Sequence, residues 1–421
     1  MSQCQPFRDY IPPRDTPRSV QLANSDTYQW AAQRCTEPFV VGWMQKWKVL
    51  YNEPYQGISS NGQVNQAVHR LADKGTDLGA PVREMCVAAK CLLSKLSKSD
   101  RERMSYPADA PEWRSWSNPE IYIFRHGLRL EEVKTEIVQA IYGLLQASLS
   151  PSGYDKVRGC MKVNGFLGKM VNGEKVLNEL SYNFAIFGTP SFKEPWGWQL
   201  FGHHLCLNCV VVGKHMVFTP IFMGAEPNII DEGPDKGTEL FVQQERAGLV
   251  LILSMDEATR AIVQVSTDIH CANLPTWRYH HADQRHLGGA FQDNRTIPYE
   301  GGLVSKFQAW QQEQVRDILK LSLDYLPEGV LQARMAEIDE YWNETYFAWI
   351  GQFGEHDAFY YSIHSPVILV EFDHHSGVFL SNKEPRKFHI HTLVRTPNGN
   401  DYGKELIQQH RERNSNCGNG A

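Results

Sequence analysis

The sequence predicts an α+β protein with a mixed or antiparallel sheet and long packed helices. Apolar residues recur at three- and four-residue intervals in several long segments, which is typical of amphipathic helices. Other segments are short apolar runs bounded by turn residues, which is typical of strands joined in hairpins. The two patterns do not alternate regularly, as they would in a parallel βαβ sheet. With 421 residues, 42% of them hydrophobic, the chain can bury a large core, so we expect one large domain plus an N-terminal arm.

Three regions follow one another along the chain. Residues 1–118 begin as an arm rich in Pro, Gln and aromatic residues, continue as amphipathic helices over 63–98 and end in a polar linker. Residues 119–409 carry the remaining helices and strands and form the predicted catalytic domain. Residues 410–421 are polar, which predicts a disordered tail.

The predicted elements of the catalytic domain follow from these local patterns. Strands are expected at 121–124, 180–187, 199–222, 359–363, 367–372, 377–380 and 388–394. Helices are expected at 131–147, 153–167, 239–253, 256–265, 303–326 and 327–353. Ser254 is a predicted N-cap for the helix at 256–265. Residues 267–302 have little periodicity but include His270, His280, His281 and His286, which predicts a long functional loop.

Charge and composition exclude several classes of partner. The net charge of −6 and the sequence pI near 6.2 indicate neither nucleic acid nor anionic lipid as a partner. The longest apolar run is far shorter than the roughly 20 residues that span a bilayer, and residues 1–13 lack the apolar segment of a secretion signal. Nine scattered cysteines indicate reduced thiols. We therefore expect a cytoplasmic protein without a membrane partner; no oligomeric state is indicated.

Two histidine pairs on separate predicted strands suggest a metal site. His389 and His391 lie two apart, so on a strand both rings project to the same face. His203 and His204 are adjacent and would face opposite sides, and the sequence leaves open which of them is a ligand because a one-residue shift of the strand exchanges their faces. Imidazole is the commonest protein ligand of catalytic metals, so we expect a divalent metal, most simply zinc, with iron as the alternative. The competing interpretation is that these histidines are ordinary core or surface residues.

Carboxylates near the second pair are candidate catalytic groups. Glu371 and Asp373 lie on the same side of the preceding predicted strand, and a hairpin could bring them near His389 and His391. There they could bind the metal, orient a ligand or act as a general acid. The alternative is a salt-bridged edge strand. Glu300, at the end of the long loop, is a third candidate catalytic carboxylate.

Aromatic residues beside the first pair suggest a substrate pocket. Trp196, Trp198 and Phe201 could form its floor against a planar ligand, although buried tryptophans are more often plain core. Asp293 lies in a glycine-containing segment, 285–302, that suits a substrate lid, and an ordinary surface loop is the alternative. These residues predict a small aromatic substrate.

Other sequence motifs have less support. The H-x-H motif of cupins is followed closely by Glu, and here Thr392-Leu393-Val394-Arg395 follows instead. In Cys206-Leu207-Asn208-Cys209 the two thiols would face opposite sides of a strand, which argues against a redox or zinc motif. The chain has no G-x-S-x-G elbow, no P-loop and no G-x-G-x-x-G between a strand and a helix, so serine hydrolases, nucleotide hydrolases and dinucleotide oxidoreductases lack support.

Several motifs together resemble the domain-of-unknown-function family 3500, over roughly Glu120 to Gln409. They are Tyr182-Asn183-Phe184, Phe187–Ser191, Pro195–Gln199, Gly202–Leu205, Pro220–Pro227, the helix around Glu245, Pro298–Gly301, Ile363–Phe372, and His389-x-His391 with Asp401-Tyr402-Gly403. The resemblance implies a tailoring enzyme of natural-product biosynthesis, because fungal members look like such enzymes. The resemblance also implies intramolecular hydroalkoxylation, in which a phenol oxygen adds across an alkene of a prenylated aromatic molecule and closes a ring.

The histidines and carboxylates fit this chemistry. His203 or His204 with His389 and His391 would hold the metal as a Lewis acid, and Glu371, Asp373 or a bound water would protonate the alkene. Aromatic faces would stabilise the resulting cation. Three alternatives stay open: a metal-dependent hydrolase of an ester, lactone or C–C bond, a non-haem iron oxygenase with a facial triad of two His and one carboxylate, and a metabolite-binding protein.

Overall fold

A mixed sheet with helices packed on it forms the centre of the structure, a computed structural model. The structure describes residues 7–73, 75–279 and 283–418, so His280 and His281 lie outside the described residues. The predicted α+β class is confirmed. None of the helices in the described part is both long and apolar enough to cross a membrane.

The described residues contain twelve α-helices. They are α1 (Pro17–Asn24), α2 (Thr27–Arg34), α3 (Pro38–Asn52), α4 (Val82–Lys95), α5 (Lys98–Met104), α6 (Thr135–Ser148), α7 (Pro151–Met170), α8 (Val242–Ser254), α9 (Glu257–Val263), α10 (Ala309–Ser322), α11 (Glu328–Glu340) and α12 (Lys404–Gly418). Helix α4 packs against α6 and shares its core, so this part of the predicted N-terminal region belongs to the main body. Helix α12 extends through most of the segment that was expected to be a disordered tail.

Thirteen strands form one sheet in the described residues. They are β1 (Ser105–Tyr106), β2 (Leu128–Arg129), β3 (Tyr182–Phe187), β4 (Trp196–Gly202), β5 (Leu205–Val212), β6 (His215–Val217), β7 (Ile221–Ala225), β8 (Gln264–Ser266), β9 (Gly302–Leu303), β10 (Tyr346–Gly351), β11 (Phe359–His364), β12 (Leu369–His374) and β13 (Ile390–Arg395). The order is β1-β3-β4-β5-β7-β13-β12-β11-β10-β8, with β2 beside β3, β6 beside β5 and β9 beside β10. Pairing is antiparallel except for β1 with β3 and β10 with β8.

Three predicted elements were wrong, each for a local reason. The helix expected at 327–353 ends at Glu340, and its last part is β10, because a short apolar run is compatible with either a helix or a buried strand. No strand forms at 121–124. None forms at 377–380 either, where the N–H groups of Val378, Phe379 and Leu380 donate to the buried carboxylate of Glu226 instead of to a neighbouring strand.

The helices confirm the other predictions with shifted ends. Of the region 63–98, only α4 and the first residue of α5 are α-helical, and the helix expected at 303–326 is reduced to α10. Asp256, not Ser254, caps α9, because its carboxylate accepts the N–H of Thr259 at 2.7 Å.

The two faces of the sheet carry different cores. Side chains of β4 and β5 alternate, so that Trp198 and Cys209 lie in the larger core, whereas Phe201 and Cys206 lie in a second core on the other face. Cys206 and Cys209 are free thiols on opposite faces, as the strand pattern predicts.

The long segment between β8 and β9 covers part of the second face. The N–H groups of Leu287 and Gly288 donate to Glu371 on β12, and a Cβ at Gly288 would come within 2.8 Å of Leu393 on β13. Residues 284–293 are buried or nearly so. This part of the predicted substrate lid is therefore packed against the sheet rather than placed as an exposed surface loop.

Glu337 on α11 gives the fold a pH-dependent contact. Its carboxylate pairs with Arg334 and lies 3.0 Å from Nδ1 of His69. Burial raises the pKa of Glu337, but the charge of Arg334 and the bond to His69 outweigh burial and lower the pKa to about 2. Between this value and the usual 4.5 the unfolded chain binds more protons than the folded one, so this contribution is complete above about pH 4.5 and is lost as the pH falls towards 2.

We expect Glu337→Gln to lower the free energy of unfolding by about 2 kcal/mol at pH 7, a value reduced for partial exposure of the carboxylate. Near pH 2.5 the free energies of unfolding of the variant and the wild type should differ by much less than at pH 7. Urea unfolding at both pH values measures it, with the exposed Glu340→Gln on the same helix as the control. An equal difference at both pH values would contradict the assigned carboxylate charge.

Candidate metal centre

Three imidazoles meet at one point on the second face of the sheet. The Nε2 atoms of His204, His389 and His391 lie 3.3 Å (204 to 389), 3.2 Å (204 to 391) and 3.0 Å (389 to 391) apart, and all three side chains are buried. At the usual Zn–N distance, the nitrogens of a tetrahedral zinc are about 3.3 Å apart. A cation accepting the three lone pairs would therefore satisfy all three atoms at the spacing that the protein already has.

Backbone geometry brings these rings together. His389 immediately precedes β13 and His391 lies within it, so both project to one face. His391 is paired with Gly224 of β7, whose N–H donates to the carbonyl of His204 at 2.7 Å. A Cβ at Gly224 would come within 2.9 Å of Cδ2 of His391 and 3.1 Å of Cδ2 of His204. The missing side chain at Gly224 is what leaves room for the two rings, as is typical of glycine inside a strand.

His204 stands in an unusual backbone conformation. It occupies the second position of the two-residue turn that joins β4 to β5, with φ at 57°. The left-handed region costs a non-glycine residue roughly 1 kcal/mol, so glycine or asparagine would be the expected residue there. Strain retained at a buried polar side chain is a feature of functional sites.

His203 does not belong to the cluster. Its Nδ1 lies 2.8 Å from Oδ1 of Asn164 on α7, and its ring stacks on that of His204 with centroids 3.9 Å apart. Of the two histidines between which the sequence left the choice open, His204 is therefore the candidate ligand, and the ring of His203 stacks on it.

A fourth imidazole borders the centre. The ring of His375 lies 4.4 Å from that of His391 and 5.0 Å from that of His389, and its Nε2 is buried with no hydrogen-bond partner. Its Nδ1 is 2.9 Å from the carbonyl of Ser376, which accepts a hydrogen bond from the N–H of that nitrogen, so the lone pair of the neutral ring is on Nε2. This unpartnered nitrogen is a second indication that the site is built for a cation.

Burial keeps these rings uncharged. It lowers the pKa of His204, His375 and His391 well below the usual value, with further lowering by the neighbouring imidazoles, and it lowers the pKa of His389 to about 3. A metal binds only the deprotonated ring. The cluster is therefore ready to bind a cation at neutral pH without first losing protons.

The predicted catalytic carboxylates are not in the cluster. Asp373 forms a buried ion pair with Arg285, with Oδ1 2.6 Å from Nε, and Glu300 pairs with Arg278 at 2.9 Å. Glu371 accepts from Leu287 and Gly288 at 2.7 and 2.8 Å and from the hydroxyl of Tyr360 at 2.7 Å. All three carboxylates already have strong protein partners, and those of Asp373 and Glu371 include groups of the long segment between β8 and β9.

Glu371 is connected to the centre through His286. Oε2 of Glu371 lies 3.7 Å from Nδ1 of His286, whose ring is 5.9 Å from that of His391. Burial lowers the pKa of His286, but the adjacent Glu371 outweighs it and the pKa is raised. Burial likewise raises the pKa of Glu371, and His286 with the two backbone donors lowers it to about 2. The raised pKa of His286 therefore favours its protonated form beside the histidine cluster.

The predicted substrate residues lie elsewhere. Trp196 and Trp198 are in the larger core on the opposite face, where Nε1 of Trp198 donates to Ser148 at 3.0 Å. Phe201 is on the same face as the histidines but stacks on His126 with centroids 4.5 Å apart. Asp293 is buried between Arg395 and Arg114 at 2.9 and 2.7 Å. These placements indicate structural roles for the two tryptophans and for Asp293.

Sequence reasoning gave no metal-site role to Gly224, His286 or His375. Gly224 had one usable signal, since a glycine in an apolar strand indicates a close approach. His375 lies between the predicted strands at 367–372 and 377–380, and His286 lies in a segment without periodicity. Their positions depend on contacts with residues distant in sequence, which no local pattern contains.

His375 can be tested against a matched neighbour. We expect His375→Ala to weaken zinc binding roughly 10- to 100-fold, the range for residues that support a metal site from its border. His203→Ala should retain affinity within a fewfold, since its ring nitrogen is engaged with Asn164. Competition with a chromophoric chelator measures both. Equal losses in the two variants would mean that ring packing, rather than the unpartnered nitrogen of His375, matters.

Comparison with known proteins supports a family and no more. A family model described as "Protein of unknown function (DUF3500)" matches residues 78–404. A buried histidine cluster in an α+β fold defines a candidate metalloprotein, and the chain belongs to the DUF3500 family. The match begins before the domain boundary that the sequence suggested at 119. Neither curated proteins nor solved structures gave a match.

Proposed function

We propose that the protein is a metal-dependent enzyme whose cation is held by His204, His389 and His391. The observation that carries this proposal is the convergence of three buried, uncharged Nε2 atoms at the spacing of zinc ligands. Neutral nitrogen ligands suit zinc, and iron is the alternative metal. A divalent cation there would act as a Lewis acid and lower the pKa of a bound hydroxyl.

The reaction that we propose is intramolecular hydroalkoxylation of a prenylated phenol in natural-product biosynthesis. The family resemblance suggests it, and the surroundings of the cluster suit it. This ring closure is an isomerisation, in which the alkene gains one proton and the phenol loses one, so the site needs an acid and a base but no oxidant. His286, whose pKa is raised by the neighbouring Glu371, is the acid that we assign. Phe222, whose ring centroid is 5.1 Å from that of His391, provides an aromatic face for the cationic carbon.

Two alternative activities have different support. A hydrolase would use the same three histidines, since a three-histidine zinc with an open position activates water. A facial-triad iron oxygenase requires a carboxylate ligand, and the cluster found in the described residues contains histidines alone. A cytoplasmic location is also part of the proposal; the cysteines at 35, 86, 91, 160, 206, 209 and 271, which are free thiols, are compatible with it.

Elemental analysis by plasma mass spectrometry tests the metal, and turnover of 2-(3-methylbut-2-enyl)phenol in deuterated water tests the reaction. We expect about one zinc per chain and a cyclic ether isomer with one deuterium on carbon. Hydrolysis of a phenyl ester without cyclisation would favour the hydrolase, and iron with oxygen-dependent turnover would favour the oxygenase. Absence of metal from freshly purified protein and from zinc-reconstituted protein would refute the metal centre.

A further inference from the structure

A cavity of about 440 Å³ lies apart from the metal centre, between α11, β6 and the residues around the 3₁₀ turn Gln66–Val68. Thr396, just beyond the end of β13, lines it, whereas His391 on the same strand does not. Thr396 lies five positions beyond His391 along the chain, which corresponds to roughly 16 Å in an extended conformation. Cavities that bind small molecules are typically ~300–1,000 Å³, so this one has the size of a ligand site.

Arg70 and Glu340 line the cavity with exposed side chains, and the less exposed charges of its wall neutralise one another. Glu337 pairs with Arg334, and its Oε1 lies 3.0 Å from Nδ1 of His69. Arg334 also donates to the hydroxyl of Thr396 at 3.2 Å, and Nε2 of His69 lies 2.7 Å from the carbonyl of Pro397. These paired groups therefore present no unpaired charge to an occupant, and a charged ligand placed against them would lose hydration without gaining a counter-ion.

His215 provides the polar group that remains available. Its Nδ1 is buried and has no hydrogen-bond partner, although His215 lines the cavity. Burial lowers the pKa of this ring to about 4, so it is a neutral imidazole that can donate or accept one hydrogen bond. A buried nitrogen without a partner is costly, and a ligand hydroxyl or carbonyl would remove that cost.

The rest of the wall is mainly apolar. Val217, Phe218, Leu326 and Val330 lie around the cavity. We propose that the cavity is a second small-molecule site, which binds an uncharged, mainly apolar molecule whose hydroxyl or carbonyl group pairs with Nδ1 of His215. Such a site is separate from the metal centre in position and in chemistry: it offers shape, apolar surface and one hydrogen bond, but no catalytic metal.

The probe for this site is 2-naphthol, a neutral ring system with one hydroxyl, titrated calorimetrically into the zinc-loaded protein. We expect saturable binding in the submillimolar range and binding of 2-naphthoate at least tenfold weaker, because Arg334 is already paired with Glu337 and Arg70 is exposed to solvent, where an ion pair contributes little. His215→Phe keeps the ring shape and should weaken 2-naphthol about fivefold, the effect of one neutral hydrogen bond, while leaving naphthalene unchanged.

Filling the cavity gives an independent test. Ala333→Trp places an indole in the cavity and should abolish 2-naphthol binding, whereas Gln332→Trp, on the exposed neighbouring position of α11, should leave it intact. Full zinc content in both variants shows that they are folded, and His215→Phe remains the test if Ala333→Trp does not fold. Wild-type affinity in Ala333→Trp, no binding to wild-type protein, or equal affinity for 2-naphthoate would overturn the proposal.

The outcome is distinguishable from that of the proposed enzyme. The variant His389→Ala/His391→Ala should lose zinc and turnover but retain 2-naphthol affinity within twofold. Loss of 2-naphthol binding in this folded variant would place the probe at the histidine cluster, and would overturn the second site.

Discussion

Replacing His389 or His391 by alanine should remove the bound metal and reduce turnover to background. Each substitution deletes one of three converging nitrogens and leaves two neutral rings that cannot complete a stable set of ligands. Changes at the border of a metal site cost ~10- to 100-fold in affinity, so loss of a direct ligand should exceed ~100-fold. Zinc content after dialysis and chelator competition measure the effect.

Thermal stability provides a second readout of the same prediction. A metal that binds only the folded state stabilises it, so a chelator should lower the Tm of wild-type protein. The His389→Ala protein should be insensitive to the chelator, and the exposed His356→Ala control should behave as wild type. Full zinc content in both His389→Ala and His391→Ala would refute the ligand assignment, whatever the effect on turnover.

Replacing Asp373 by leucine should destabilise the protein by about 3–5 kcal/mol. The substitution leaves the guanidinium of Arg285 buried without its carboxylate, from which Nε is 2.6 Å and Nη2 is 3.0 Å in the wild-type protein. Arg285 also donates to the carbonyls of His374 and Ile269, so this arginine connects the long segment to β12. We expect kcat of the folded protein to change less than threefold, because Asp373 forms an ion pair with Arg285 and is not part of the histidine cluster.

The double variant Arg285→Met/Asp373→Leu separates charge from packing. It removes both charges, and it should recover part of the lost stability, since apolar replacement of a buried ion pair is often neutral. Urea unfolding of the two single variants and the double variant measures the coupling. The part-exposed pair of Arg316 and Asp339 is the control, with Asp339→Ala expected to cost less than about 1 kcal/mol. A large fall in kcat without loss of stability in Asp373→Leu would restore Asp373 as a catalytic candidate.

The sequence predicts those features that depend on local periodicity. His389 and His391 were expected to share a face because alternation along a strand fixes that relation wherever the strand lies. The assignment of His204 rather than His203 was not accessible, because it depends on a turn whose two residues do not continue the alternation of β4. Trp196 and Trp198 were misplaced because alternation tells which residues share a face but not which face carries the site.

The carboxylates show a second limit. Glu371 and Asp373 do share a side of β12, as expected, but their partners Arg285, Leu287 and Gly288 lie more than 80 positions earlier in the chain. The local sequence around a carboxylate does not tell whether that carboxylate forms an ion pair or lies beside a metal. The helix expected at 327–353 failed for a related reason, since Tyr346–Gly351 is buried along nearly its whole length and shows no alternation.

The turn at His204 has a consequence for how sequences of this fold would change under selection. Glycine at this position would relieve the left-handed strain, so His204→Gly should leave the metal-free protein as stable as wild type or more so, while metal is lost. A library selected for thermal tolerance in the presence of a chelator would accumulate small residues at position 204, and the same library selected with zinc would keep histidine. The residue at position 204 would thus indicate whether a given sequence had been selected with metal present.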